Sequence, residues 1–407
     1  MIGSIARRTP KVDICVVGLG PAGRALAHRA MRAGLTVAAV DPRPDRLWPP
    51  TFGCWVDELP SWLPATVIAT RITQPVVWTT RRHRIDREYC VLSKPGLRSA
   101  LPLDDAHILA ARATRVEPHR VELSDGSAIT AATVFDTRGS TSVARRRAAS
   151  AHGIFVDADT AAPMVGDGEG LLMDWRPDNG TSSKEPPSFL YAMPLGDGTV
   201  VFEETSLGLR GGMPQHELRK RTANRLAAHG IRLTGNETCE AAHYPLHEPP
   251  PKSRTGQVVG FGARGGMMNP ATGYSVADSL TLADTVVTAL QQGKDPVAAL
   301  WPWQARLVYW MRVRGLWGLG RLTTEQSVAA FDSFFSAAPR GQRAVLSTRD
   351  DYMTLAALLV NTVAHTWPFH WRFDFVGWTN RNRWTDYPFS AAPDHTQQSH
   401  LSTWTSP

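Results

Sequence analysis

Two adjacent carboxyl side chains, Glu203 and Glu204, interrupt an otherwise apolar strand pattern over residues 199–207, Thr-Val-Val-Phe-Glu-Glu-Thr-Ser-Leu. Successive strand residues point to opposite faces. Val201, Glu203, Thr205 and Leu207 therefore share one face, and Val200, Phe202, Glu204 and Ser206 the other. A carboxyl group stripped of water keeps its proton, because burial disfavours the charged form. Either glutamate is thus a candidate general acid near neutral pH. The same residues also fit a strand-edge pair with one salt-bridged and one solvated group, and their types alone do not separate the two.

A second constellation lies near the start. Gly18-Leu19-Gly20-Pro21-Ala22-Gly23 follows an apolar run at 12–17 and opens a helical stretch at 24–32, which Gly34 closes before a second apolar run at 35–40. In such a βαβ unit Gly18 makes the tight turn, Gly20 admits a pyrophosphate close to the backbone, and Gly23 lets helix and strand pack. The helix start offers free N–H groups and partial positive charge to phosphates. Asp41, 23 residues after Gly18, stands where a carboxylate can bind ribose hydroxyls. Val134-Phe135-Asp136-Thr137-Arg138-Gly139 has the form of a strand returning to the same nucleotide. Val258-Val259-Gly260-Phe261-Gly262, leading to Gly265-Gly266, forms a third segment. Three such segments in this order favour FAD. The third carries Ala263-Arg264 where a Gly-Asp is usual.

The elements that must position these groups follow from pattern and length. The chain has 407 residues, a formal charge of +7 and four scattered cysteines without a CxxC pair. That excludes a disulfide scaffold or zinc ribbon and fits a reducing cytosol. His243 and His247 are separated by Pro245, and His365 and His370 by Pro368, so no metal site is expected. Short arginine runs without a recognised module give nucleic acid binding little support. No export signal is legible at residues 1–8, and the best apolar run, 352–371, is too interrupted to span a bilayer. Strands are expected at 67–72, 76–80, 120–123, 128–135, 189–193, 199–204 and 258–262, with a loop or a long hairpin at 166–187. Helices are expected at 275–292, 296–317, 324–335 and 350–364. The fold class is α/β: a Rossmann-type FAD-binding domain interleaved with a β-rich substrate domain and followed by a helical C-terminal region. Residues 11–60, 85–140 and 256–295 form the FAD-binding unit, and 61–84 and 141–255 the substrate unit. Residues 296–380 are helical and 381–407 a polar tail.

Longer stretches carry a resemblance. Leu-Trp-Pro-Pro-Thr-Phe-Gly-Cys-Trp-Val-Asp-Glu at 47–58 is one. Met193-Pro194-Leu195-Gly196 followed by Val201-Phe202-Glu203-Glu204-Thr205-Ser206-Leu207 is a second. Gly265-Gly266-Met267-Met268-Asn269-Pro270-Ala271-Thr272-Gly273-Tyr274 is a third, and Leu300-Trp301-Pro302 with Phe331-Asp332-Ser333-Phe334-Phe335 a fourth. Together, over roughly residues 12–375, the chain resembles the flavoprotein-type lycopene cyclases of carotenoid biosynthesis (the lycopene beta-cyclase family). It departs from them at Asn269, where the family usually has His, and at 340–349, which lacks the family's aromatic character.

The resemblance implies a non-redox isomerisation. A linear carotene end is protonated, the neighbouring double bond attacks the tertiary cation, and a ring proton is lost to give a β-ionone ring. It places the acid at Glu203, with Glu204 second. It implies FAD in its reduced form, with NAD(P)H as external reductant, held by Gly18, Gly20, Pro21, Ala22, Gly23, Asp41, Asp136, Gly139, Gly265, Gly266, Met267, Pro270, Thr272 and Gly273. Trp55, Phe202 and Tyr274 are expected beside the substrate cation, where aromatic faces stabilise positive charge, and Asp57 or Glu58 could serve as base. A carotene must be collected from a bilayer. Trp303, Trp310 and Trp317, spaced by seven among Arg306, Arg312, Arg314 and Arg321, fit an interfacial helix, although a tryptophan-rich core helix has the same pattern. The expected setting is cytoplasmic, peripheral on the inner face of the cell membrane, with other carotenoid-pathway enzymes as candidate partners. The competing reading is an FAD monooxygenase or desaturase acting on a polyprenoid. A flavoprotein that only carries a carotenoid is a third.

Overall fold

The computed structural model describes residues 11–362 except 141–142, 144–145 and 255, together with 384, 387 and 389. Arg145, the histidines at 365 and 370, the end of the expected 350–364 helix and most of the polar tail lie outside the described residues.

The first βαβ unit sits in a seven-stranded sheet. Lys11–Val17 is flanked in parallel by Val37–Val40 and Ala128–Asp136, and His107–Leu109 lies parallel beyond Val37–Val40. The two-residue strand Val259–Gly260 pairs in parallel with Ala128–Asp136, while Arg120–Leu123 and Ala113–Glu117 continue antiparallel. The chain leaves this sheet after Val40 and again after Asp136, and returns each time. Ile14, Val16, Phe135 and Phe261 pack with Leu26 and Ala30 of the Pro21–Arg32 helix and with Ala283 and Val286 of the Val276–Gln291 helix. Each large apolar side chain buried this way stabilises the fold by about 1.5–3 kcal/mol. The α/β, Rossmann-type class read from the sequence is the class observed.

A second seven-stranded sheet runs in the order Cys239–Pro245, Arg147–Asp157, Thr199–Arg210, Phe189–Pro194, Leu171–Asp174, Val76–Trp78, Arg82–Arg84. Helix Gln215–Ala228 covers one of its faces. The other face meets aromatic side chains of the Thr324–Phe335 helix and of a three-stranded sheet, Gly53–Trp55, Tyr89–Leu92 and Ile68–Ile72. That small sheet joins residues from both sides of the seams expected at 60/61 and 84/85.

Several elements differ from expectation for physical reasons. The expected 296–317 helix is two, Pro296–Leu300 and Trp303–Leu319, because Pro302 disfavours helical backbone at Trp301 (φ −127°, ψ 64°). The strand expected at 258–262 shrinks to two residues before a 3₁₀ turn at Gly262–Gly265. Leu171–Asp174 is a strand inside 166–187, where a loop or a long hairpin is expected. Arg147–Asp157 and Cys239–Pro245 carry no clear alternation and few β-branched residues, so neither shows as a strand in the sequence. Helix Gln215–Ala228 is hidden because its buried stripe, Leu218, Arg221, Thr222, Arg225 and Leu226, contains two arginines.

Candidate active site

At the nucleotide end, Gly18 takes φ +100° and donates its N–H to Val40 O at 2.8 Å. A Cβ on Gly23 would lie 2.0 Å from Gly18 O, so the turn and the helix touch only because Gly23 has no side chain. Gly20 is different. Its backbone is ordinary (φ −60°), and nothing lies within 4 Å of a Cβ built there. The fold itself therefore does not demand glycine at 20. What a side chain would fill is the open space before the Pro21–Arg32 helix, whose N-terminus has no side-chain cap. That is the cradle a pyrophosphate needs. Asp41 braces the loop by accepting from Leu19 N–H at 2.8 Å and Arg43 N–H at 2.7 Å.

Thr137 Oγ donates to Val17 O and Gly18 O, tying the second segment to the loop. Asp136 accepts from Arg138 at 2.9 and 2.8 Å and from Arg264 at 3.2 Å. Burial alone would raise its pKa, but the Arg138 hydrogen bonds and charge outweigh it and hold the carboxyl low. Arg264, which stands where an acid is usual, thus supplies a second cation to Asp136. Gly139, at φ +89°, opens onto free space.

The third segment packs on the first. A Cβ on Gly262 would lie 2.6 Å from Ala22 Cβ. Gly265, Gly266 and Gly273 are required by protein contacts, since Cβ atoms there would meet Gly260 O at 2.4 Å, Glu248 O at 2.8 Å and Tyr244 Oη at 2.6 Å. Met267 Sδ accepts from Gly262 N–H, Thr272 Oγ accepts from Tyr274 N–H, and Pro270 is buried between them in sequence. Asn269 accepts from Ala271 N–H and donates to Leu346 O at 2.8 Å and Val345 O at 3.2 Å, tethering this loop to the Pro339–Leu346 helix.

The two glutamates lie on opposite faces of the second sheet. Glu204 is fully buried beneath helix Gln215–Ala228. It accepts from Ser188 Oγ at 2.6 Å, Asn179 Nδ2 at 3.1 Å and Arg225 Nε at 3.1 Å. It is a paired structural carboxylate, and as one of the two expected catalytic residues it is placed away from any chamber. Phe202, expected beside the substrate cation, shares that face and packs with Leu190, Ile154 and Leu226. Period-two alternation from Glu203 turns both away.

Glu203 occupies one ladder row with Tyr191, Gly153 and Glu240 on the neighbouring strands. Its Oε1 accepts from Thr205 Oγ at 3.1 Å. Burial, and then the charge of Glu240, push its pKa up to about 8, against the smaller opposing effect of Thr205. Around it lies an aromatic wall. Tyr89 and Tyr274 share a 2.8 Å hydroxyl contact; the Tyr89 ring lies 6.4 Å from Tyr191 and 5.2 Å edge-on from Trp55. Phe331 stacks on Trp175 at 4.8 Å farther along the same face. Trp55 and Tyr274 are thus brought into Glu203's neighbourhood, and Phe202 is not. Tyr89, Tyr191, Tyr244, Gly153 and Glu240 were missed by the sequence reading. The signal that could have found the last two is positional: Gly153 sits opposite Glu203 and Glu240 opposite Gly153, in strands the sequence did not reveal.

Asp57 and Glu58 lie outside this wall. Arg87 grips both, at 2.6 and 2.9 Å, and stacks its guanidinium 4.6 Å from the Trp55 ring centre. Arg343 also reaches Asp57 at 2.8 Å. Burial lifts the Glu58 pKa to about 7, against the smaller opposing effects of Ser347 and Arg87.

On the Trp303–Leu319 helix, Trp303, Leu307, Trp310 and Trp317 form one exposed stripe, with Trp303 60% and Trp310 46% accessible. Arg314 stacks beside it on Trp317. Arg312 is buried and donates to Ala344 O and Thr348 O, and Arg306 donates to Trp301 O and Pro251 O, so neither arginine belongs to the stripe. Trp301 is core, its indole N–H bonded to Gly265 O. No helix among the described residues is long and apolar enough to cross a membrane, and no group of His, Cys, Asp or Glu among them converges to hold a metal ion.

Comparison with known proteins places this geometry in a family. Among curated relatives, the chloroplastic lycopene beta cyclase of an Oncidium hybrid cultivar is 31% identical, covering 84% of this chain and 79% of its own. An uncharacterized carotenoid cyclase of Deinococcus radiodurans is 32% identical over 87% and 90%. Among solved structures, a geranylgeranyl bacteriochlorophyll reductase-like protein of Thermoplasma acidophilum aligns with TM-score 0.62 at 14% identity, covering 88% of this chain and 97% of that one. HpxO of Klebsiella pneumoniae, complexed with FAD, aligns with TM-score 0.52 at 14% identity over 84% and 99%. The family model described as "Lycopene cyclase protein" matches residues 13–364, and the chain belongs to that family.

Proposed function

We propose that this chain is an FAD-dependent carotenoid cyclase that closes the linear end groups of lycopene into β-ionone rings, with no net redox change. The observation that carries the reading is Glu203: a carboxyl on the aromatic-walled face of the sheet, its pKa pushed up to about 8 by burial and by the charge of Glu240.

Glu203 gives its proton to the terminal double bond of the bound end group. The adjacent double bond attacks the resulting tertiary cation and closes the ring. Loss of one ring proton completes an isomerisation in which every atom of the substrate is retained. Tyr89, Tyr191, Tyr274 and Trp55 cluster beside Glu203, and aromatic rings so placed would stabilise positive charge and keep out the water that would capture it. Gly18, Gly20, Gly23, Asp41 and the Asp136–Gly139 turn would hold FAD, with its pyrophosphate at the Pro21–Arg32 helix start. Reduced FAD, maintained by NAD(P)H, supplies an electron-rich surface for a cationic substrate.

The tryptophan stripe supports peripheral binding to the cytoplasmic face of a membrane, from which the carotene is drawn. Met353 and Val360 of the neighbouring Tyr352–Asn361 helix, both strongly exposed, add to this apolar surface. Flotation with anionic vesicles checks it: wild-type protein rises with the vesicles, and Trp303→Ala/Trp310→Ala stays below. Equal flotation of the two would remove the stripe from the membrane contact.

The deciding experiment is anaerobic incubation of the reduced, flavin-loaded protein with lycopene, followed by mass and absorption spectra. Unchanged mass with a shifted spectrum is expected, and Glu203→Gln abolishes it. A product that has lost hydrogen or gained oxygen would instead mean a desaturase or monooxygenase. Gly20→Val serves as the cofactor control: it should purify folded but without flavin.

A further inference from the structure

Glu203 is a strong acid candidate only while something keeps its proton in place, and the second sheet holds a group arranged to do so. In the row Tyr191, Glu203, Gly153, Glu240, three strands carry side chains and the one between the two glutamates does not. A Cβ built on Gly153 would stand 2.9 Å from Glu240 Cγ and 3.5 Å from its Oε1. Glu240 therefore lies across the glycine, in the space that any other residue at 153 would fill. Its carboxylate is held from the far side: Oε2 accepts from both the N–H and the Oγ of Thr51, each at 3.1 Å. Burial raises the Glu240 pKa above the ordinary value, and the Thr51 hydrogen bonds and the positive charge of Lys94, itself bonded to Pro49 O, work against that rise.

Among the described residues, the surroundings of Glu203 contain no comparable support for an anion. From its own strand comes only the Thr205 hydroxyl. The Phe189–Pro194 strand presents Tyr191, the Arg147–Asp157 strand presents Gly153 between Ala151 and Phe155, and the Cys239–Pro245 strand presents Glu240 and Tyr244. Tyr89 and Tyr274 lie beyond Tyr191, and burial makes all four tyrosines weaker acids than usual. Two carboxyls sharing such a space do not both ionise readily, and the one with hydrogen-bond donors and a nearby cation takes the charge.

We infer that Glu240 is a positioning residue for proton transfer: seen through the gap at Gly153 and held as the anion by Thr51 and Lys94, it keeps the proton on Glu203. This rests on the cyclase reading above. Between turnovers Glu203 must regain one proton for each it gives, and the neighbouring negative charge favours that return. No bond other than that to the proton changes.

The test is the pH profile of cyclisation in lycopene-loaded vesicles with the flavin reduced, and in parallel the protonated-carboxyl stretch in difference infrared spectra. In wild-type protein the rate should hold at low pH and fall as pH rises through about 8. Glu240→Gln keeps the size and a Thr51 acceptor but removes the charge. Its falling limb, and the disappearance of the Glu203 carboxyl stretch, should both move to lower pH by about one unit or more. Its rate at the acid end should stay within a few-fold of wild type. A limb that stays in place overturns the inference, and so does a variant inactive at every pH, which would make Glu240 a reacting group. If Glu240→Gln fails to retain flavin, Thr51→Val, which removes one donor to Glu240, carries the test. Glu240 then holds its charge less readily, and the limb should again move down, by less; an unmoved limb overturns the inference. Glu203→Gln separates the two levels. Full activity in that variant sinks the cyclase mechanism itself, whereas loss of activity there with an unmoved limb in the position-240 variant sinks only the role of Glu240.

Discussion

The two faces of the second sheet hold glutamates one residue apart, in the same strand, with opposite fates. Beneath helix Gln215–Ala228, Glu204 meets an arginine, a hydroxyl and an amide, and both of its oxygens accept hydrogen bonds. On the aromatic face, Glu203 meets one threonine hydroxyl and another carboxyl. Glu204 is fully buried and Glu203 half-buried, and exposure alone does not account for the contrast. What differs is the partner: a buried charge with a cation is structure, whereas a buried carboxyl without one is a stored proton. The strand pattern that looks like a redundant acidic pair is a division of labour imposed by period-two geometry.

The largest effect that could break this contrast is catalytic. Glu203→Gln should lower turnover by about 10³–10⁴-fold, the upper end of what general acid catalysis contributes, because an alkene accepts a proton poorly. Glu204→Gln, measured with equal flavin content, should fall by far less. Reversed results would interchange the two faces. Next comes stability. Arg225→Met leaves Glu204 buried without its cation and should destabilise by about 3–5 kcal/mol, read as a lowered denaturant midpoint. The same measurement on Glu203→Gln should show no loss.

A smaller effect sharpens the contrast through pH. Glu203 has a folded pKa of about 8, against 4.5 for the ordinary group. The folded state thus binds a proton more tightly than the unfolded one. The stability linked to this site is full below about pH 4.5 and is lost as pH rises through about 8. Glu203→Gln cannot ionise and should escape that loss. Thermal unfolding of the two proteins should coincide below about pH 4.5, separate progressively between about pH 4.5 and 8, and stay apart above that with the variant ahead by on the order of a few kcal/mol. Coincident curves at all pH values would mean Glu203 is not held protonated.

Much of the Rossmann-type half could be read in advance, because its turns are local: Gly18, Gly23, Asp41 and the Asp136 turn sit within a few residues of their own strand ends. The proposed acid was legible as one of two, since alternation separates Glu203 from Glu204 without saying which face is which. Choosing the face depends on partners distant in sequence. Arg225 sits in a helix whose inward arginines resemble a solvated surface, and Glu240 and Gly153 in strands rich in alanine with no alternation to mark them. Tyr89 and Tyr191 belong to different sheets and meet only in three dimensions. Pairing across strands is set by register, which the run of residue types does not encode by itself.

The strand bearing Glu203 also works as a ruler. It runs from Thr199 to Arg210, and near its far end Gly208 lies against Leu316 of the tryptophan-bearing helix; a Cβ added to that glycine would stand 3.1 Å from Leu316 Cδ1. From Glu203 to Gly208 is five residues of extended chain, a span of about 17 Å. The row that holds Glu203 and the helix that carries the exposed tryptophans thus meet two ends of one strand segment, about 17 Å apart.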